Sequence, residues 1–129
     1  MEFEEAQRCL GIDWGTRKIG LALGDAVTKI ATPYKVVKNV AEVLEVIKQE
    51  AVDQVVLGQP IQLASDQAMS AAFNIFHKTL IDNGQLPVEL VDERLTTKQA
   101  GKLGQGSKQT AAEDAIAAML ILQSYFDRT

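Results

Sequence analysis

Residues 8–23 constrain the fold more than any other part of the chain. Two short apolar runs, 8–14 and 19–23, are joined only by Gly15-Thr16-Arg17-Lys18. That link is too short for a crossover, so the runs pair as an antiparallel hairpin. Beyond the hairpin, strand and helix patterns alternate. Tyr34, Val36 and Val37 favour a third strand within 33–37. Asn39 and Glu42 have capping-box spacing, and Ala41, Leu44, Ile47 and Ala51 recur at helical intervals. Residues 54–57 read as a buried strand closed by Gly58-Gln59-Pro60. Ser65 or Asp66 caps a second helix, whose expected apolar stripe is Ala68, Ala71, Ala72, Ile75, Phe76 and Leu80 and whose end is Gly84. Residues 88–91 form another strand. Thr96 with Gln99, and Thr110 with Glu113, start two more helices across the connection Gly104-Gln105-Gly106-Ser107. The last runs to about Tyr125 and is apolar nearly all round, as a buried helix is. The order implies an α/β mixed sheet: three antiparallel N-terminal strands, then two parallel strands, with helices on both faces.

The length of 129 residues fits one domain over 1–129, with 1–7 as a flexible tail. The start is acidic and polar, unlike a signal peptide, and no stretch has membrane-spanning length, so a cytoplasmic protein without membrane association is expected. A single cysteine, Cys9, excludes an internal disulfide framework. A single histidine, His77, excludes zinc sites that need two. Any metal site must therefore be mostly carboxylate, which suits Mg2+, Mn2+ or Ca2+.

A net charge of −4 argues against a nucleic-acid partner until its distribution is considered. Acids crowd the N-terminal tail and the first helix. Residues 94–112 hold no acid but carry Arg94, Lys98, Lys102 and Lys108, and Arg17 and Lys18 are the only charges in 14–24. Lys98 and Lys102, four apart, share a helix face. Two basic strips of this kind hold a polyanion by its phosphates, or serve simply as solvated surface charge.

Three acids fit their places poorly. Asp13 ends a strand, where Asp is disfavoured, and Gly11 and Gly15 beside it leave room for a ligand. Asp92-Glu93 follows the strand at 88–91; adjacent residues point to opposite faces, so only one of the two meets Asp13. Asp114 lies in the first turn of the buried last helix, aligned with Ala118 and Ile121. Each has an ordinary explanation: a turn-forming Asp, a solvated loop salt-bridged by Arg94, a charge favouring the helix dipole. Together at one end of a sheet they would repel unless a cation or proton joined them. Two divalent ions about 4 Å apart would neutralise such a cluster and clamp a phosphodiester.

Gly11-Ile12-Asp13-Trp14-Gly15-Thr16-Arg17-Lys18-Ile19-Gly20 resembles the opening motif of the YqgF family, ribonuclease H-like proteins described as Holliday junction resolvase-like and as nucleases maturing the 5′ end of 16S rRNA. Asp92-Glu93-Arg94-Leu95-Thr96-Thr97 resembles its acidic strand-end motif, and residues 114–122 its final helix. The first turn reads Arg17-Lys18 where the family has Lys then Arg, and Gly58-Gln59-Pro60 stands where Gly-Leu-Pro is common. The resemblance implies a ribonuclease H-like fold and a catalytic set Asp13, Glu93 and Asp114 binding Mg2+ or Mn2+. It implies a role for Arg94 or Thr96 beside them. The partner would be precursor rRNA or branched DNA, met by Arg17, Lys18, Arg94, Thr96, Lys98, Lys102 and Lys108.

The expected activity is thus a metal-dependent nuclease acting on the 5′ end of precursor 16S rRNA. The alternatives are a Holliday junction resolvase and a non-catalytic nucleic-acid-binding module on the same fold. An actin-like ATPase opens similarly but needs two domains, for which the chain lacks room. Trp14 is expected to pack beside the hairpin rather than stack on a base, His77 to sit at a helix rim, and Cys9 to be a small strand residue.

Overall fold

A computed structural model describes residues 7–60, 63, 65–93 and 111–129. The hairpin at its centre is β1 (Arg8–Asp13) against β2 (Ile19–Asp25), paired antiparallel with Asp13 opposite Gly20. A second tight turn leads to β3 (Ile30–Val37), with Lys29 in the left-handed region at φ 61°. This strand starts three residues before the expected 33–37. Pro33 within it is tolerated because β3 is an edge strand, and a register shift there leaves Tyr34 as the extra residue. Then come α1 (Val40–Gln49), β4 (Gln54–Gln59), α2 (Gln67–Gly84), β5 (Val88–Asp92) and α3 (Ala111–Asp127). The sheet order is β3-β2-β1-β4-β5, with β4 parallel to both β1 and β5. This is the mixed sheet the element order implies.

Alternation along β1 sends its residues to two separate cores. Leu10 and Ile12 join Trp14, Val43, Val46, Phe73 and Phe76 under α1 and α2. Cys9 turns the other way, into the layer of Ala22, Val56, Val91, Ala118, Leu122 and Phe126 beneath α3. That second layer is thin because glycine forms much of its floor. A Cβ on Gly11 would lie 2.8 Å from Leu122 Cβ and 2.9 Å from the Ala118 carbonyl oxygen. Gln123 clips α3 to the edge, accepting from the Ala31 N–H at 3.0 Å and donating to the Lys29 carbonyl at 2.9 Å.

The helix ends follow their sequence signals. Asn39 accepts from the Glu42 N–H at 3.0 Å, while Glu42 reaches back to the Lys38 N–H at 2.7 Å. Asp66, rather than Ser65, caps α2 by accepting from Met69 N–H at 3.0 Å. The helix α2 ends at Gly84 as expected, and Gln85 after it takes the left-handed position at φ 56°.

Both helical faces match the expected stripes only in part: Leu44, Ile47, Ala72, Phe76 and Leu80 pack on the core as expected, and the other stripe residues do not. In α1 the buried residues are Val43, Val46 and Ile47, with Ala41 exposed and Ala51 beyond the helix. In α2 they are Phe73, Phe76 and Leu80, with Met69 and Ala72 packed alongside; Ala68 and Ala71 are exposed, and Ile75 is 67% exposed. The phase is set by the large aromatics, which bury the most area. Trp14 meets Phe73 edge-on at 5.5 Å between ring centroids, so Trp14 is a core residue, 8% exposed. His77 lies beside the Phe73 ring, half-buried. The helix expected from Thr96 and the cap at Thr110 lie outside the described residues.

Candidate active site

The three acids arrive from three elements at one end of the sheet. Asp13 is the last residue of β1 and follows Gly11 on the α3 side. Its lateral neighbours are both glycines: Gly20 on β2 and Gly58 on β4. The carboxylate therefore stands between two strand positions that carry no side chain. Residue patterning alone does not single out Gly20 and marks Gly58 only as a strand terminator. The available signal is a glycine inside an otherwise apolar strand, which marks close approach of another group.

Each glycine admits a different acid. A Cβ on Gly20 would collide with the backbone carbonyl of Asp114, so α3 begins directly over β2. A Cβ on Gly58 would meet Ile121 Cδ1 at 2.5 Å and Glu93 Oε2 at 3.0 Å. Glu93 follows β5 by one residue, and Val91, two before it, belongs to the α3-side core. Glu93 thus emerges on the face of Asp13, while Asp92 continues the strand opposite Gln59. Asp114, in the first turn of α3, is buried at 9% exposure.

The electrostatics follow from this crowding. Burial raises the Asp13 carboxyl above its ordinary range; a hydrogen bond from Glu93 offsets part of the rise, and the charge of Asp114 adds to it. Glu93 is pushed up to about 9 by burial, by the Asp13 charge, by its hydrogen bond with Asp13 and by Asp92. Two carboxyls this close do not both ionise cheaply, so each holds its proton more tightly than an isolated acid would. Asp114 is met by the ammonium of Lys18, with Nζ 2.9 Å from Oδ2. The Lys18 ammonium offsets part of the charge of these three crowded carboxyls.

This donor set fits a hard divalent cation in kind: all-oxygen, anionic and dominated by carboxylate. As the side chains are placed, no group of three His, Cys, Asp or Glu among the described residues stands at spacing to hold one metal ion. The Lys18 ammonium stands 2.9 Å from Asp114 Oδ2 instead, an oxygen that is buried and accepts no hydrogen bond among the described residues.

Of the expected phosphate-binding residues, Arg17 is exposed on the hairpin turn and Lys18 is turned to Asp114. Arg94, Thr96, Lys98, Lys102 and Lys108 lie outside the described residues.

A family model described as RuvX, Holliday junction resolvase, matches residues 7–128. The chain belongs to the RuvX family, the YqgF family of the opening motif. It is 33% identical to a protein of Endomicrobium trichonymphae provisionally named a pre-16S rRNA nuclease, over 93% of this chain and 95% of that one. A protein with the same provisional name from Methylobacillus flagellatus is 36% identical over 92% of this chain and 89% of its own length. Among solved structures, Thermus thermophilus RuvC bound to a Holliday junction superposes with a TM-score of 0.61 over 95% of this chain and 94% of that chain, at 20% identity. At that identity the likeness concerns the fold, which is ribonuclease H-like. As a RuvX member the chain is a nuclease, a hydrolase of phosphodiester bonds.

Proposed function

We propose that this RuvX-family chain is a divalent-metal-dependent nuclease whose metal is held by Asp13, Glu93 and Asp114, and that it trims the 5′ end of precursor 16S rRNA. The observation that carries the reading is the convergence of Asp13, Glu93 and Asp114 on a strand end lined by Gly20 and Gly58, where burial and mutual charge raise the Asp13 and Glu93 carboxyls. Carboxyls gathered at such electrostatic cost lower each other's tolerance of negative charge, and a divalent ion relieves it. The names borne by the relatives favour rRNA as substrate.

When bound, Mg2+ or Mn2+ would supply an activated water and charge stabilisation at the phosphorus. The chain's own residues do the rest. Gly20 and Gly58 leave room beside Asp13 for the Asp114 backbone and for Glu93, which is what brings the three acids together. With its carboxyl raised to about 9, Glu93 would have to be deprotonated to serve beside Asp13 as a ligand. The helix α3 fixes Asp114 through the close contact of its first turn with Gly20. Arg17 at the turn, with Arg94, Thr96, Lys98, Lys102 and Lys108, would hold flanking phosphates.

A four-way DNA junction is the second reading, favoured by the description of the matching family. Side-by-side cleavage of precursor 16S rRNA and a synthetic four-way junction separates the two. Asp13→Asn should lower cleavage of the true substrate by about 10²-fold or more while the protein stays folded. Full activity in that variant would refute the assignment. Nucleic-acid binding with no cleavage under any divalent metal would leave a binding module instead.

A further inference from the structure

Lys18 belongs by sequence with Arg17, as one of two cations on a hairpin turn. The fold separates them. Lys18 immediately precedes β2, whose second residue, Gly20, lies against the Asp114 carbonyl. The lysine stem therefore starts about as close to the first turn of α3 as the backbone allows, and its Nζ comes to 2.9 Å from Asp114 Oδ2.

This ion pair is unlike the other two described in the chain. In Arg8–Glu50 and Lys78–Asp82 both side chains are at least a quarter exposed, whereas the Asp114 side chain is only 13% exposed and that of Lys18 is 48% exposed. The ammonium reaches an acid more buried than Glu50 or Asp82, so it gives up part of its hydration, a loss that the ion pair offsets. The acid it reaches is not isolated: the charge of Asp114 raises the Asp13 carboxyl, which in turn is hydrogen-bonded to Glu93. The ammonium is thus a mobile positive charge inserted into a three-carboxyl pocket.

We propose that Lys18 is a tethered counter-ion of this pocket that competes with the divalent cation for Asp114 and withdraws when the cation binds. The inference rests on the proposed metal site of Asp13, Glu93 and Asp114. A divalent ion contacts carboxylate oxygen at about 2.0–2.6 Å. An ammonium at 2.9 Å from the same oxygen occupies its approach and repels the incoming charge. The exchange is one cation for another and moves no proton. Withdrawal returns the ammonium to water, and its regained hydration offsets part of the lost ion pair. Metal affinity is therefore set lower than the three acids alone would give. The displaced ammonium, tethered beside the site, is then available to a substrate phosphate, so metal and polyanion favour each other's binding by linkage.

The test is Mn2+ binding to the intact protein without nucleic acid, followed by the electron paramagnetic resonance signal of the free ion. Lys18→Met keeps the stem and removes the charge; Lys18→Arg keeps the charge. The Mn2+ dissociation constant should fall about 3–10-fold in Lys18→Met and stay within about twofold in Lys18→Arg, the range set by losing a partly buried ion pair and its repulsion of the metal. The Mn2+ concentration that half-saturates thermal stabilisation should shift in the same direction, a second reading on the same variants. Unchanged or weaker Mn2+ binding in Lys18→Met overturns the proposal, since a lysine serving only to hold nucleic acid has no effect before nucleic acid is present. Absence of saturable Mn2+ binding in the unsubstituted protein overturns the metal-site reading and this inference with it.

Discussion

Replacing Glu93 with Gln should remove much of the loss of stability that the metal-free protein suffers as pH rises. Glu93 has an ordinary pKa of 4.5 and a folded-state value of about 9. A carboxyl whose pKa rises on folding binds its proton more tightly when folded, so its contribution is fully present below about pH 4.5 and is lost as pH climbs towards about 9. Each pH unit inside that window is worth about 1.36 kcal/mol. Between about pH 5.5 and about pH 7.5 the native protein should therefore lose up to about 2.7 kcal/mol, and about 1–2 kcal/mol once water and mobile cations in an open site are allowed for. Asp13 is shifted in the same direction and adds to the slope. Gln keeps the shape and an N–H donor towards Asp13 but cannot ionise. Urea denaturation in a chelating buffer across that range gives both stabilities, and their difference cancels every titrating group except Asp13, which is coupled to Glu93. Glu93→Gln should gain on the native protein with rising pH and be the more stable of the two at alkaline pH. A difference that stays flat with pH would mean that Glu93 carries no perturbed proton and that the acids are not crowded.

Other perturbations probe the scaffold around the acids. Gly20→Ala places a methyl against the Asp114 carbonyl, so the start of α3 must shift. It should cost about 1–3 kcal/mol in urea denaturation and lower cleavage through displacement of Asp114. Phe73→Ala should cost about 3–5 kcal/mol because Phe73 is buried against Trp14, whereas Ile75→Ala should stay within about 0.5 kcal/mol. Comparable losses in the two variants would place the buried face of α2 elsewhere. In the nuclease assay, a chelator should abolish cleavage by the native protein, and added Mn2+ or Mg2+ should restore it.

Local chemistry is enough to derive the architecture from the sequence. A four-residue link fixes an antiparallel pair; Asn39 with Glu42 and Asp66 with Met69 mark helix starts because side chain and backbone satisfy each other over a few residues. The same holds for the suspicion attached to Asp13, Glu93 and Asp114, since an acid at a strand end or in a buried helix is out of place wherever the rest of the chain goes. The choice between Asp92 and Glu93 stays open on residue spacing alone, because the strand's face depends on its pairing with β4. The stripes of α1 and α2 are only partly placed by sequence for a related reason: alanines score as apolar at any phase, and only contact with Trp14 shows which side of α2 the aromatics bury.

The tertiary structure alone decided how the acids live together. Gly20 and Gly58 flank Asp13 only because β2 and β4 pair with β1 in that register. Lys18 reaches Asp114 only because the absence of a side chain at Gly20 lets α3 settle onto β2. Local sequence sets which groups are costly to place. Register and helix approach, which depend on residues about a hundred positions apart, set which charge answers which.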